Sequence, residues 1–170
     1  MSRTLTITAL DQVPLIAPGD DLATVIGEAL SVNGLAAEDG DILVLAQKIV
    51  SKSEGRLVDL NAVTPGERAK ELAHATDKDP RLVELILSES TAVLRQVPGV
   101  LITQHRCGWI MANAGIDASN VASAAGEDNV LLLPLDPDRT CAALCEQLFM
   151  RTHKEFGVLI NDSFGRPWRL

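Results

Sequence analysis

The sequence predicts an α+β fold with mixed or antiparallel sheets and flanking helices. Apolar residues alternate with a period of two in some stretches and recur every three to four residues in others, patterns typical of strands and helices respectively. Two strand-like stretches, "GVLITQ" and "GWIMAN", are separated by a short polar turn and predict a hairpin. The order of the elements contains no repeated βαβ unit, so a regular parallel sheet is not expected.

The composition is that of a globular protein. The chain has 170 residues, of which 46% are hydrophobic and 22% charged, and it contains no linker-like or low-complexity segment. A single domain of this length buries about 70% of its unfolded surface. No stretch reaches the ~20 apolar residues that span a bilayer, and the first residues lack the pattern of a secretory signal. We therefore expect a cytoplasmic protein without a membrane partner.

Charge and cysteine usage exclude further classes. The net charge of −8 and the scarcity of aromatic residues argue against a general nucleic-acid binder. The three cysteines form no CxxC pair and the three histidines no HExxH motif, so a zinc site is not expected. Cys141 and Cys145 are instead predicted to be half-buried on one face of a helix.

The first third of the chain predicts a strand, a helix and a long second strand. "TLTIT", residues 4–8, alternates between polar and apolar side chains. "DDLATVIGEAL" has a helical apolar stripe, with Asp20 or Asp21 as the N-cap. "ILVLAQKIV", residues 42–50, is apolar enough to form one buried strand.

Two helices follow, each with a proline near its start. In "TPGERAKELA", Thr64 is predicted as the N-cap, with Pro65 at the first helical position and Glu67 completing a capping box. In "DPRLVELILSESTAVL", Asp79 and Pro80 take the same two positions.

After the hairpin, the sequence predicts a strand, a helix and a last strand. These correspond to "NVLLLPL", "DPDRTCAALCEQL" and "FGVLIND". Asp136 and Asp138 both favour the start of this helix, and Asp138 is well placed as its N-cap.

Polar clusters at the ends of the predicted strands are the candidates for function, because scaffolds hold catalytic groups at such positions. In "QKIVSKSEGR", Lys48, Lys52 and Arg56 gather cations that suit phosphate oxygens. A solvated edge strand is the alternative, since lysines also protect sheet edges from pairing.

"ANAGIDASN" concentrates oxygen-bearing side chains around Gly115. Its Asp117 is a plausible ligand for a hard divalent cation, although such residues also favour turns for local reasons. At the last strand, alternation places Asp162 on the face opposite Asn161, with Ser163 beside it. Asp117 and Asp162 could together bind metal ions that bridge nucleotide phosphates to the lysines.

Several of these stretches, in this order and spacing, resemble the coenzyme F420-0:L-glutamate ligase family, also called F420 gamma-glutamyl ligase. They are "GDILVLAQKIVSKSEGR", "ANAGIDASN", "LLLPLDPD" and "GVLINDSFGRPWR", and "VPLIAPGDDL" near the N-terminus matches too. The resemblance implies a GTP-dependent amide ligase that needs manganese or magnesium and forms an intertwined homodimer. It also implies that GTP phosphorylates the terminal carboxylate of F420-0 and that the amine of L-glutamate then displaces the phosphate.

The resemblance also implies site residues, although it names no catalytic residue. The implied metal ligands are Asp117, Asp162 and Ser163, with serine where threonine is usual. The implied nucleotide contacts are Val13, Pro14, Leu15, Ile16, Gln47, Lys48, Lys52 and Asn120.

Members of this family continue beyond the "GRPWR" motif, so residues 1–170 are expected to form the N-terminal portion of such a ligase as one domain. Two alternatives stay open. One is a non-catalytic dimer or ligand-binding module, and the other is a ligase or nucleotide hydrolase with a different acceptor.

Overall fold

The computed structural model describes residues 4–118 and 128–162. The helices in these ranges are α1 (Leu22–Val32), α2 (Gln47–Ser53), α3 (Glu67–Thr76), α4 (Pro80–Ser88) and α5 (Pro137–Thr152). The strands are β1 (Ile42–Ala46), β2 (Leu57–Asp59), β3 (Ser90–Val97), β4 (Val100–His105), β5 (Ile110–Ala112), β6 (Asn129–Leu131) and β7 (Gly157–Asn161). None of these helices is long and apolar enough to cross a bilayer.

The described strands form three small sheets. β1 pairs with β7 in parallel, with Val44 opposite Leu159. β2 and β6 are antiparallel, and β3, β4 and β5 form an antiparallel meander. The prediction of an α+β fold is confirmed, as is the hairpin formed by β4 and β5, and two of the three sheets are antiparallel as expected, whereas β1 and β7 form a parallel pair.

Two apolar clusters form the core. The first lies among α1, α2, α5 and the β1–β7 pair, and its buried members are Ile16, Leu22, Ala23, Ile26, Leu45, Val50, Leu144, Leu148 and Val158. The second lies among α3, α4, β4 and the turn after β5, and contains Ala69, Leu72, Ala73, Val83, Ile86, Leu101 and Ala114. Each large side chain buried in this way stabilises the fold by about 1.5–3 kcal/mol.

Several local predictions are confirmed. Asp21 is the N-cap of α1 and accepts a hydrogen bond of 3.0 Å from the Ala23 N–H. Asp79 is the N-cap of α4, with proline at the first helical position. Cys141 and Cys145 are partly buried on α5 and pack against the first core cluster.

The single strand predicted over residues 42–50 is wrong in its second half. The chain leaves β1 after Ala46 and begins α2 at Gln47. Gln47, Val50 and Ser51 are the buried residues of this segment, and their spacing is helical. Because the whole stretch is apolar, the change from a strand period to a helical period could not be recognised in the sequence.

The strand predicted for "TLTIT" is also wrong. Residues 4–8 pair with no strand of the described chain, and the side chains of Leu5 and Ile7 are 83% and 87% exposed. Alternation is a local property of the sequence, whereas a strand also needs a neighbour to accept its hydrogen bonds.

Two predicted helix caps are displaced. α3 begins at Glu67 with Gly66 as its N-cap rather than Thr64, and the Gly66 N–H donates to Glu84 at 2.8 Å. α5 is capped by Asp136 rather than Asp138. Gly66 has an extended backbone, and the Asp136 side chain accepts a hydrogen bond from the Arg139 N–H.

The helix predicted through the whole of "DPRLVELILSESTAVL" is too long. α4 ends at Ser88, and the second part of this stretch forms β3. β3 pairs with β4, which supplies hydrogen-bond partners for its extended backbone.

A cluster of charged residues joins the sheets. Glu89, at the C-cap of α4, accepts hydrogen bonds from Arg56 at 2.6 Å and from Arg106 at 3.0 Å. His105 Nε2 lies 3.5 Å from the same oxygen, too far for a strong hydrogen bond. Arg56 also donates to the carbonyl of Leu133 at 2.9 Å, which ties this cluster to the segment after β6.

This environment sets the ionisation of Glu89. Burial alone would raise the pKa of Glu89, but hydrogen bonds from His105, Arg56 and Arg106 outweigh burial and lower it from 4.5 to about 2. The two arginines lie closer to the Glu89 carboxylate than His105 does, at 2.6 and 3.0 Å against 3.5 Å. A carboxyl group whose pKa is lower in the folded than in the unfolded protein stabilises the fold at pH values above the unfolded pKa. This stabilisation is lost as the pH falls from the unfolded pKa to the folded pKa.

We predict that Glu89→Gln destabilises the fold by about 3 kcal/mol at neutral pH, because it leaves the largely buried Arg56 guanidinium, 14% exposed, without its counter-charge. It should also flatten the fall in stability between about pH 4.5 and 2. Urea unfolding across this pH range measures both effects. Glu67→Gln is the control, since Glu67 is 86% exposed and pairs only at the surface. Equal effects of the two substitutions would contradict the prediction.

Candidate functional site

A cleft with a volume of about 630 Å³ lies between the start of α2, the β4–β5 hairpin, the turn after β5 and the end of β7. Its polar lining residues are Gln47, Lys48, Asp117 and Asp162. Its apolar and small lining residues are Ile102, Ile110, Met111, Ala112, Gly115 and Ile116. The cleft thus has a charged side and an apolar side.

Parallel pairing creates the charged side. Ala46, the last residue of β1, lies opposite Asn161, the last residue of β7. Both strands therefore end at the same edge, and the residues that follow them are neighbours. This brings Lys48, in the first turn of α2, and Asp162, directly after β7, to one cleft although they are distant in sequence.

A backbone bridge sets the position of Asp117. The Asp117 N–H donates to the Leu131 carbonyl at 3.0 Å, and the Leu131 N–H donates back to Asp117 at 2.9 Å. The Asp117 side chain reaches across the cleft to Lys48, with 2.6 Å between Oδ2 and Nζ. The two side chains are 24% and 44% exposed, so water still screens the pair.

Gln47 forms a buried part of the cleft lining. Its side chain is 5% exposed and donates a hydrogen bond to Ser51, one turn further along α2. Because Ser51 is fully buried, this bond fixes the Gln47 amide with little freedom.

The structure brings together four residues predicted for the site: Gln47, Lys48, Asp117 and Asp162. Ser163 and Asn120 lie outside the described residues. Arg56 does not join the two lysines as the sequence suggested, because it binds Glu89 and the Leu133 carbonyl.

The other predicted nucleotide contacts are absent from the described lining of the cleft. Lys52 lies one turn beyond Lys48 on α2. Val13, Pro14, Leu15 and Ile16 belong to the segment before α1. Leu15 is 94% exposed, whereas Ile16 is buried in the first core cluster.

Sequence reasoning missed the apolar side of the cleft. Ile102 on β4 pairs with Ala112 on β5, and Ile110 on β5 is 64% exposed. In sequence, these residues carry only an ordinary strand pattern. Their role as lining follows from the turn after β5, which folds Ile116 and Asp117 back beside the hairpin.

The donor atoms of the cleft fit a hard divalent cation. Asp117 and Asp162 supply carboxylate oxygens, the ligand type that magnesium and manganese prefer. Residues 4–118 and 128–162 contain no group of three or more His, Cys, Asp or Glu side chains able to hold a metal by themselves. Two carboxylates suit a cation whose remaining ligands are water and phosphate oxygens, which is a common arrangement for magnesium.

Comparison with known proteins identifies relatives of the chain. Residues 11–170 match the family model described as F420-0:Gamma-glutamyl ligase. The coenzyme F420:L-glutamate ligase of Methanopyrus kandleri is 42% identical over 94% of this chain and 61% of its own length. The corresponding ligase of Methanothermobacter thermautotrophicus is 39% identical over 97% of this chain and 64% of its own length. This chain therefore spans less than two thirds of the length of these relatives.

We predict that the Lys48–Asp117 ion pair contributes little to stability. Lys48→Met should change the free energy of unfolding by less than about 1 kcal/mol, because both groups are partly hydrated. Arg56→Met is the contrasting variant: its side chain is 14% exposed, and its loss should cost about 3 kcal/mol. Urea denaturation measures both. A loss as large for Lys48→Met as for Arg56→Met would contradict this assignment.

Proposed function

The chain belongs to the F420-0:gamma-glutamyl ligase family, and on this basis we propose that it contributes the nucleotide and metal site of a ligase that joins L-glutamate to F420-0. The supporting observation is the cleft where Lys48, Asp117 and Asp162 converge from three separate elements. All three lie in the part of the chain that matches the family.

The proposed reaction has two steps. A carboxylate oxygen of F420-0 attacks the γ-phosphorus of GTP, and the bond between this phosphorus and the bridging oxygen of the β-phosphate breaks. GDP departs, and F420-0 now carries an acyl phosphate. The amine nitrogen of L-glutamate then attacks the acyl carbon, inorganic phosphate leaves, and the nitrogen loses a proton as the amide forms. Phosphorylation is needed because a free carboxylate is a poor electrophile. Catalysis of such phosphoryl transfer depends on positioning and on neutralising charge.

Lys48 is proposed to bind the nucleotide phosphates. Its ammonium is a compact point charge at the start of α2, a chemistry that suits phosphate oxygens. This ammonium lies 2.6 Å from the Asp117 carboxylate. Gln47, held by Ser51 beneath it, is proposed to orient the same phosphates through its amide.

Asp117 and Asp162 are proposed to hold a divalent cation, manganese or magnesium. When bound, this cation would supply positive charge beside the phosphates. Ser163, the third metal ligand that the resemblance implies, directly follows Asp162 in sequence. The proposed nucleotide contacts at residues 13–16, Lys52 and Asn120 complete the site.

We extend the proposal to a cytoplasmic homodimer. Ile42, Val44 and Leu159 lie on one face of the β1–β7 pair and are each more than half exposed. A subunit contact would bury such a face, because sheets of parallel strands are normally covered on both sides. Light scattering of the purified chain tests the dimer.

We predict that the chain forms a new amide when supplied with F420-0, L-glutamate, GTP and Mn²⁺, as detected by mass spectrometry. Lys48→Ala should lower the rate by about 100-fold, because a cation aimed at the phosphates is lost. Lys70→Ala is the matched control and should stay within about twofold of the parent. Lys70 is similarly exposed, at 52% against 44%, and its ion pair with Glu67 is similar in length.

Two outcomes would replace this proposal with another function. Hydrolysis of GTP without amide formation would indicate a hydrolase or a ligase with a different acceptor. GTP binding without any turnover would indicate a ligand-binding module. Assays with alternative amines distinguish a hydrolase from a ligase with a different acceptor.

We predict that Asp117→Asn and Asp162→Asn each weaken Mn²⁺-dependent GTP binding by at least tenfold, since each removes a charged oxygen ligand. Isothermal titration calorimetry measures this effect. Asp138→Asn is the control, because Asp138 is exposed in the first turn of α5 and does not line the cleft. Unchanged binding in the two cleft variants would exclude the shared metal site.

A further inference from the structure

Three consecutive residues just before the cleft carboxylate have left-handed backbone conformations. Asn113, Ala114 and Gly115 have φ values of 53°, 52° and 70°. L-residues avoid this region because of contacts of the Cβ atom, and they visit it as single residues rather than in runs. Among the other described non-glycine residues, Gln12, Asp77 and His153 also have positive φ, but each is isolated, and Asp77 and His153 are helix C-caps, a position where this conformation is common.

The surroundings of the turn hold it in this conformation. Ala114 is 1% exposed and packs in the second core cluster. Ala114 has no polar side chain that could compensate for an unfavourable backbone, so tertiary packing must hold it. The turn also closes on itself, since the Ile116 N–H donates to the Asn113 carbonyl at 3.0 Å.

Gly115 lies in direct contact with Leu133. A Cβ atom on residue 115 would lie 2.6 Å from Leu133 Cδ1 and 3.0 Å from Met111 Cε. Only glycine therefore combines the left-handed backbone with this close approach.

Leu133 is itself held firmly. Its carbonyl accepts a hydrogen bond from Arg56 Nε at 2.9 Å, and the Leu132 N–H donates to the Arg56 carbonyl at 3.0 Å. Arg56 is in turn fixed by its ion pair with Glu89. These bonds hold the Leu133 backbone, and the Leu133 side chain that meets the turn is confined by burial, at 2% exposed.

From these contacts we infer that the left-handed turn at residues 113–115 positions Asp117 in the cleft, and that Gly115 is the positioning residue on which it depends. Only Ile116 separates Gly115 from Asp117, whose backbone is paired with Leu131, the last residue of β6 and two positions before Leu133. A displacement at Gly115 must therefore strain or break the bridge at Asp117. The inference rests on the proposed function, because it assigns a purpose to the carboxylate placed there.

The size of the effect follows from the contact. With a Cβ on residue 115, the turn or Leu133 would have to move by about 1 Å to restore an ordinary separation. A misplacement of about 1 Å in an active site can lower activity by about 100-fold. We therefore expect Gly115→Ala to weaken Mn²⁺-dependent GTP binding by at least tenfold.

The test compares Gly115→Ala with Gly34→Ala. Gly34 has a similar φ of 65°, but an added Cβ there would meet nothing within 4 Å. Both variants carry the same backbone penalty, so urea unfolding should show that each is destabilised. Only Gly115→Ala should lose Mn²⁺-dependent GTP affinity in calorimetry. Only Gly115→Ala should also accelerate hydrogen exchange at the Asp117 and Leu131 amides, a local readout that needs neither ligand nor turnover.

A second substitution provides rescue. Leu133→Val removes the methyl group that would lie 2.6 Å from the new Cβ, so Gly115→Ala combined with Leu133→Val should recover part of the affinity and of the slow exchange. If Gly115→Ala does not fold, Leu133→Val alone serves as the test. Leu133→Val removes side-chain atoms that contact the turn, and it should weaken Mn²⁺-dependent GTP binding about threefold.

The outcomes separate this inference from the proposed function. A folded Gly115→Ala variant with the affinity and exchange of the parent would overturn the inference. Parent protein that binds GTP with no dependence on Mn²⁺ would overturn the proposed metal site. In that case the hydrogen-exchange comparison would still decide whether Gly115 positions Asp117.

Discussion

The parallel pairing of β1 with β7 is the constraint on which the rest of the structure depends. It joins residues that are more than one hundred positions apart, and α1, α2 and α5 pack around it to form the first core cluster. Because both strands run in the same direction, their carboxyl ends coincide. The first turn of α2 and the residue after β7 are therefore adjacent, and the charged side of the cleft follows from this topology.

A second constraint connects this unit to the β3–β4–β5 meander. Arg56 lies between α2 and β2, yet its side chain is bound at the far end of α4 and at the Leu133 carbonyl. Burying charge in this way costs desolvation, which is offset only because Glu89 is well hydrogen-bonded. The backbone after β6 is thereby held in place; the left-handed turn contacts Leu133 in this segment, and Asp117 pairs with Leu131 at the end of β6.

Much of the fold could be predicted from local signals. Asp21 and Asp79 were identifiable as caps because the hydrogen bonds they accept lie within one helical turn. The α2 helix was missed because a short, apolar, half-buried helix and a buried strand have the same composition. The cleft was predictable only in part. Lys48, Asp117 and Asp162 have the right chemistry in the sequence, but their convergence depends on sheet pairing, which local pattern does not encode.

The ion pair between Lys48 and Asp117 has a consequence for how ligands would be taken up. A cation arriving alone at Asp117 would have to displace Lys48, and a phosphate arriving alone at Lys48 would have to displace Asp117. When both ligands bind, the Lys48–Asp117 pair is replaced by two pairs, one between the cation and Asp117 and one between the phosphate and Lys48. Under the proposed function, the two ligands would be thermodynamically coupled, each raising the affinity for the other by the same factor. The Lys48–Asp117 pair would then favour the metal–nucleotide complex over either ligand alone.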